Sequence, residues 1–332
     1  MAACIFALAA AALWLKAPTF TSTIWNVDEA IHAAVARTLL DGGVLYRDAV
    51  DQRTPLTYGA MALIFSVAGV NNILAVHVAT ALLIAATGLL LLLGGRRFSG
   101  TGAGIWAAGL YLILATGLFY QGDANAFVTE WFVAFFTSAA ALCFWSAPPE
   151  ESPRRMLPVT GALLALATLS KQPAAIDLAA PALTLAYLYR RTVPFSWASL
   201  RRGWMELALG FALPIAGVVA YYALRGALAD FVYYTWTYNW YIYGPEVSSA
   251  DRALSALVPF RLLAAFSPLL LMAVLLAAGE AIRRLLQRQP IPGERSTNPA
   301  RLYLLVWGGS ALVGAASGGR GYDHYSIPCL PL

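Results

Sequence analysis

An all-α polytopic membrane protein is the fold class this sequence predicts, on three observations. The chain is 60% hydrophobic and 12% charged, with a mean hydropathy of +0.65, whereas soluble domains carry about 25% charged residues. Its apolar residues gather into runs approaching the ~20 residues that cross a bilayer as helix. Its arginines stand in pairs and clusters between those runs. A soluble enzyme is excluded. The net charge of +5 would admit a nucleic-acid partner, but the basic residues lie on no aromatic-interleaved face, so none is expected. Cys4, Cys143 and Cys329 form an odd set without CxxC spacing, which supports neither a zinc site nor a disulfide framework.

Taken in order, Ile5 to Leu15 reads as a retained first span, because no basic segment precedes it and no soluble domain follows a cleavage site. Residues 19–70 form the first long polar loop, with a helical run from Ile31 to Leu40 and a short apolar helix from Leu56 to Val70. At 1.5 Å per residue that second helix falls short of a ~30 Å hydrocarbon core and is expected to lie along the membrane surface. Further spans are expected at Ile73–Leu93, Ala103–Tyr120, Phe127–Trp145, Leu157–Ser170, Pro173–Tyr189, Trp204–Leu224, Pro259–Gly279 and Leu302–Ser317, with a last one opening at Ser326. That makes about ten spans in one domain covering residues 1–332, whose C-terminal boundary falls inside an expected span, as in a truncated chain.

Arg96/Arg97, Arg154/Arg155, Arg190/Arg191/Arg201/Arg202 and Arg283/Arg284/Arg288/Arg295/Arg301 occupy alternate loops, which the positive-inside rule assigns to the cytoplasm. The opposite side then receives the 19–70 loop, Asp123, Lys171, an aromatic loop at 225–258 and the segment 318–325. Twelve of the seventeen carboxylates belong to that outer half. The rule does not sort acids, so their bias has either a function there or chance behind it.

Asn26-Val27-Asp28-Glu29-Ala30 leads into the first loop helix, with Asp28 placed to cap it. Spacing alone allows a helix cap as readily as a catalyst. Asp28-Glu29, then Gly42-Gly43-Val44-Leu45-Tyr46, then Asp51-Gln52-Arg53-Thr54-Pro55-Leu56-Thr57-Tyr58 resemble the first outer loop of the GT-C glycosyltransferases. The branch resembled is that of the aminoarabinose transferases and protein O-mannosyltransferases. The resemblance implies a GT-C-type helical bundle that moves a sugar from a polyprenyl-phosphate carrier to an acceptor hydroxyl of a lipid, glycan or protein. It implies inversion at the anomeric carbon and a site on the outer face of a bacterial plasma membrane.

Carried over residue by residue, the resemblance makes Asp28 the catalytic base with Glu29 beside it, and Glu130 a second acid with Asp123 as its fallback. Arg53 stands where relatives often have lysine, at the position that meets the carrier phosphate. Guanidinium serves there because it grips phosphate bidentately and keeps its charge. Lys171, in Leu169-Ser170-Lys171-Gln172-Pro173, and Arg320, in Gly319-Arg320-Gly321-Tyr322-Asp323-His324-Tyr325, are further phosphate contacts by the same resemblance. Asp123, Tyr58, Asn239, Tyr243 and His324 are substrate-binding candidates. Each has a plainer alternative: Arg53 and Lys171 as interfacial side chains, the 231–243 aromatics as an interfacial belt, His324 as a hydrogen-bonded surface side chain. Asp177, inside a span, is expected to be held by an ion pair or hydrogen bond.

No metal is expected, since the three histidines lack ligand spacing and no clear DxD is present. No other cofactor is expected either, and no GxGxxG, Walker A or HExxH motif occurs. The competing class is a transporter or lipid flippase, for which many spans and an intramembrane Lys171/Asp177 pair are equally natural.

Overall fold

The computed structural model describes residues 2–21, 23–118, 121–146, 156–191, 196–286 and 298–332. Tyr120 and the topology arginines Arg154, Arg155, Arg288 and Arg295 lie outside the described residues. The described chain is helical, and its one ladder element is an isolated bridge between Leu45 and Ala49.

The helices run α1 (Ala2–Lys16), α2 (Val27–Leu40), α3 (Leu56–Ala68), α4 (Ile73–Ser99), α5 (Thr101–Gly117), α6 (Gln121–Asn125), α7 (Thr129–Phe144) and α8 (Leu157–Ser170). A 3₁₀ segment, Gln172–Leu178, leads into α9 (Ala179–Arg191), then α10 (Trp197–Leu224) and α11 (Leu228–Val232). Two π-helical turns, Tyr233–Thr237 and Asn239–Tyr243, carry the aromatic stretch. The chain continues through α12 (Ser249–Ala256), α13 (Val258–Phe266), α14 (Pro268–Leu286) and α15 (Asn298–Ser317) to a 3₁₀ segment at Asp323–Cys329.

Among the described residues two helices, α4 with 27 residues and α10 with 28, are long and apolar enough to cross a membrane. The apolar α3, α5, α7 and α8 are shorter, at 13 to 17 residues.

Three expected elements are corrected. The run Pro259–Gly279 is broken at Ser267, whose extended backbone (φ −158°, ψ 104°) separates α13 from α14. Pro268 explains it, because the proline ring disfavours helical backbone at the residue before it. The run expected to be helical from Pro173 starts as 3₁₀ and becomes α only at Ala179. The stretch expected to open a span at Ser326 is instead the 3₁₀ turn at Asp323–Cys329, which contains Pro328 and buries His324, Tyr325, Ser326 and Ile327.

Small residues set the closest helix contacts. Gly161 on α8 and Gly210 on α10 meet each other's helix so tightly that a methyl group on either would run into backbone, Leu207 in one case and Pro158 in the other. Where lipid replaces water, such close packing supplies what hydrophobic burial cannot. Gly210→Ala is therefore expected to force α8 and α10 apart at a cost of about 1–3 kcal/mol, typical of an overpacked contact. A thermal melt of the detergent-solubilised protein checks it, and an unshifted midpoint would show that the contact yields freely.

The core nearest the first loop is built from α2, α3 and α4. Ala33, Ala36, Met61, Phe65, Ile73, Val76 and Phe127 bury together there. This seats one face of α2, while Ile31, Val35 and Leu39 on another pack with Val44, Leu45, Tyr46 and Tyr58.

Candidate active site

α2 begins one residue before Asp28. Its cap is Asn26, whose side-chain oxygen accepts from the Glu29 N–H at 2.9 Å. The expectation that Asp28 caps the helix is thus corrected: asparagine is among the strongest N-caps, and its position leaves the Asp28 carboxylate uncommitted in the first turn. Successive residues on an α-helix point about 100° apart, so Asp28 and Glu29 face different surroundings.

Glu29 points inward and is fully buried. Its Oε2 accepts from the Trp25 N–H at 2.8 Å and its Oε1 from the Phe127 N–H at 2.9 Å, with His77 Nε2 3.2 Å away. One turn on, His32 Nδ1 lies 2.9 Å from the Phe127 carbonyl, so α2 holds both sides of that residue's backbone. These contacts take up Glu29 as a cross-link. It offers no face to a substrate, and of the two adjacent acids Asp28 alone is exposed to the site.

Asp28 keeps 21% of its side chain exposed and pairs with Arg53 at 2.7 Å. Arg53 also pairs with Asp51 at 3.0 Å. Burial works against the Arg53 guanidinium, but Asp28 and Asp51 more than offset it and raise its pKa, so it stays charged. Its backbone is fixed as well. The Tyr46 hydroxyl donates to the Arg53 carbonyl at 2.7 Å, from a buried residue held at φ 76°, a left-handed conformation that a bulky side chain adopts only under constraint.

A second acid–cation pair stands beside the first. Lys171 Nζ lies 2.5 Å from Glu130 Oε1 and 3.4 Å above the centre of the Tyr325 ring. Thr129 donates to the other Glu130 oxygen at 2.9 Å. Burial lowers the Lys171 pKa, Glu130 works against that, and the charge of Arg53 adds to the lowering. The mutual influence of Arg53, Glu130, Lys171 and Asp28 puts the two pairs in one electrostatic unit.

His324 joins them. Its Nε2 is 3.7 Å from Asp28 and 3.9 Å from Glu130, and its Nδ1 is 3.0 Å from Asp123. Tyr322 stacks on one side of the ring and Tyr325 meets it edge-on. Asp123 also accepts from the Asn26 side chain at 3.4 Å. Burial raises the Asp123 pKa, but contact with His324 overrides this and holds its carboxyl below the ordinary value.

Six sequence candidates from four separate parts of the chain therefore converge: Asp28, Arg53, Asp123, Glu130, Lys171 and His324. The others sit elsewhere. Arg320 pairs with Glu246 at 2.7 Å and lies over the Tyr243 ring at 4.3 Å, an outer contact apart from both acid–cation pairs. Tyr58 is fully buried behind the site, where burial, then the Asp51 carboxylate, push its phenol well above the ordinary value. Asn239 donates to the carbonyls of Gln52 at 2.9 Å, Tyr234 at 3.1 Å and Thr235 at 3.2 Å, which makes it a joint between the aromatic segment and the Arg53 loop. Asp177 is buried and bonded to the Ser310 hydroxyl, without Lys171 as a direct partner among the described residues.

Set against known proteins, the chain matches no family model, no curated protein and no solved structure.

Sequence reasoning missed three contributors. Asp51 orients Arg53 from two positions away, a spacing visible in Asp51-Gln52-Arg53. Gln172 donates to the Gln52 carbonyl at 2.7 Å, beside Asn239; the Lys-Gln-Pro break is visible in the sequence, but a neutral glutamine beside a lysine carries no chemical signal of its own. Tyr325 supplies the ring beneath Lys171, and nothing in the local sequence marks that contact.

Proposed function

We propose that this protein is a multi-pass membrane glycosyltransferase that moves a sugar from a polyprenyl-phosphate carrier to an acceptor hydroxyl on the extracytoplasmic side, with inversion at the anomeric carbon. The observation that carries the reading is the partly exposed Asp28–Arg53 pair set beside the Lys171–Glu130 pair. Transfer from a phosphate leaving group needs a base for the acceptor, positive charge for the departing phosphate, and exclusion of competing water. In this reading Asp28 takes the acceptor proton as the acceptor oxygen bonds to the anomeric carbon. The bond from that carbon to the carrier phosphate breaks, its electron pair stays with the phosphate, and Arg53 and Lys171 stabilise the charge.

Arg53 is shared at rest between Asp28 and Asp51. A donor phosphate competes with Asp28 for the guanidinium, and its arrival releases the carboxylate to act as base while Asp51 keeps Arg53 aimed. The positive charge comes from side chains, so the reading invokes no metal. The about ten membrane spans, the plasma-membrane location and the outward-facing site belong to the same proposal, supported by the alternating arginine clusters.

Purified protein supplied with a polyprenyl-phosphate sugar and a hydroxyl acceptor tests the reading, with product configuration read by NMR. Retention of configuration would overturn it. So would solute uptake by proteoliposomes with no sugar transferred, which favours a transporter. Within the reading, Lys171→Met is expected to raise the donor KM about tenfold to a hundredfold, the worth of one charge-assisted hydrogen bond of roughly 1.5–3 kcal/mol. Steady-state kinetics against donor concentration measure it.

A further inference from the structure

We propose that His324 is the proton carrier of this site: it takes from Asp28 the proton abstracted from the acceptor, with Asp123 fixing the imidazole so that Nε2 faces the base. The inference rests on the glycosyl-transfer reading and adds to it the fate of that proton. Among the described residues, two side chains come within ion-pair range of Asp28, namely Arg53 and His324. Guanidinium has donors and no acceptor, which leaves His324 as the side-chain recipient for the proton held by Asp28, in competition with the solvent that Asp28 also reaches.

The ring is set up for this. His324 comes from the 3₁₀ segment near the chain's end, its side chain is only 7% exposed, and neither ring nitrogen makes an aligned hydrogen bond. Tyr322 and Tyr325 hold its plane. Nδ1 sits 3.0 Å from an Asp123 oxygen, at a carboxylate more exposed than the ring itself. A carboxylate at Nδ1 favours the tautomer with its proton there, which leaves the Nε2 lone pair toward Asp28.

Each turnover then balances. The acceptor O–H bond breaks with its proton going to Asp28. Through one bridging water, or after a side-chain shift that closes the 3.7 Å gap, the Asp28 carboxyl gives that proton to Nε2, forming an imidazolium between Asp123 and Glu130. The imidazolium loses a proton to water as product leaves, restoring neutral His324.

The charged groups facing the ring are Asp28 from α2, Asp123 from α6, Glu130 from α7 and Lys171 from the α8–Gln172 hairpin. Burial disfavours the imidazolium and Lys171 opposes it, but Glu130 and Asp123 prevail and raise the His324 pKa above its ordinary value. Carrying a proton away requires the ring to start neutral. Turnover should therefore fall as pH drops through that raised pKa.

The test has two arms on the full-length protein. In the first, ¹⁵N-histidine NMR follows the imidazole titration in detergent, with His324→Gln assigning the signal among the three histidines. The His324 midpoint is expected above about 6.5, the ordinary value, and lower in both Asp28→Asn and Asp123→Asn. A midpoint that neither substitution moves overturns the proposal. In the second, His324→Gln is expected to lower kcat about 10²-fold, within the range for a lost proton-transfer group, with donor KM changed less than about threefold and the acidic limb of the pH profile gone. Loss confined to KM with the limb retained overturns it. Asp123→Asn, which keeps the ring, is expected to move that limb to lower pH and covers the case in which His324→Gln does not fold. If the wild-type protein transfers no sugar, the glycosyl-transfer reading fails, while the NMR arm still decides whether His324 is coupled to both acids.

Discussion

Asp28→Asn is expected to lower sugar transfer about 10²- to 10⁴-fold, the range for loss of a positioned general base, while the protein stays folded. The substitution keeps the shape of the side chain and an oxygen that accepts from Arg53, but removes the ability to bind the acceptor proton. Arg53 retains Asp51 at 3.0 Å, so no cation is stranded. The pair is mostly buried, at 16% and 21% exposure, but asparagine keeps a hydrogen bond to Arg53 and Asp51 keeps the charge balance, so the stability change is expected near the ~0.5–1.5 kcal/mol of one hydrogen bond. Single-turnover kinetics with a polyprenyl-phosphate sugar, beside a thermal melt, separate the two effects. Near-normal turnover would remove Asp28 from the mechanism.

The neighbouring acid should behave in the opposite way. Glu29→Ala is expected to cost about 3–5 kcal/mol, as when one partner of a buried charged contact is removed. It leaves the Trp25 and Phe127 N–H groups and His77 Nε2 without the carboxylate they share. Each buried donor left unmade costs about 1–3 kcal/mol, against a total stability of about 5–15 kcal/mol for a typical domain. The variant should be recovered in low yield and melt early. Glu29→Gln retains a carbonyl oxygen for one of the donors and should fall between. A Glu29→Ala protein that melts normally yet transfers no sugar would return Glu29 to the catalytic set.

The contrast between these adjacent acids marks how far the sequence could be read. Asp28-Glu29 stood out as a pair, and spacing could not say which faced the site. The packing of α2 decided it: Ala33, Ala36 and Val35 face the core, and Glu29 turns inward to the Trp25 and Phe127 N–H groups. The helical class followed from composition because apolar runs between arginine clusters admit few other structures. Helix interruptions did not follow from it, since hydropathy is the same on either side of Ser267 while the backbone breaks there. Six site residues were legible because charge in an apolar context is conspicuous wherever it falls. Gln172 and Tyr325 were not, because their roles are set by contacts between distant segments: the Gln172–Gln52 bond joins positions 120 apart. Asp51 stands only two residues from Arg53, but spacing alone does not turn its carboxylate toward the guanidinium.

The Glu29–Phe127 bond closes a loop between residues 98 positions apart, and the entropy of such closure must be met before the contact contributes anything. During synthesis, α2 emerges long before the residues that anchor it. A chain interrupted ahead of Phe127 carries Asp28 on a helix whose inner acid lacks that partner. The seat of the helix that carries Asp28 is therefore complete only when the entry to α7 is in place. A chain that stops short of Phe127 holds the residues of the first loop without the cross-link that seats them.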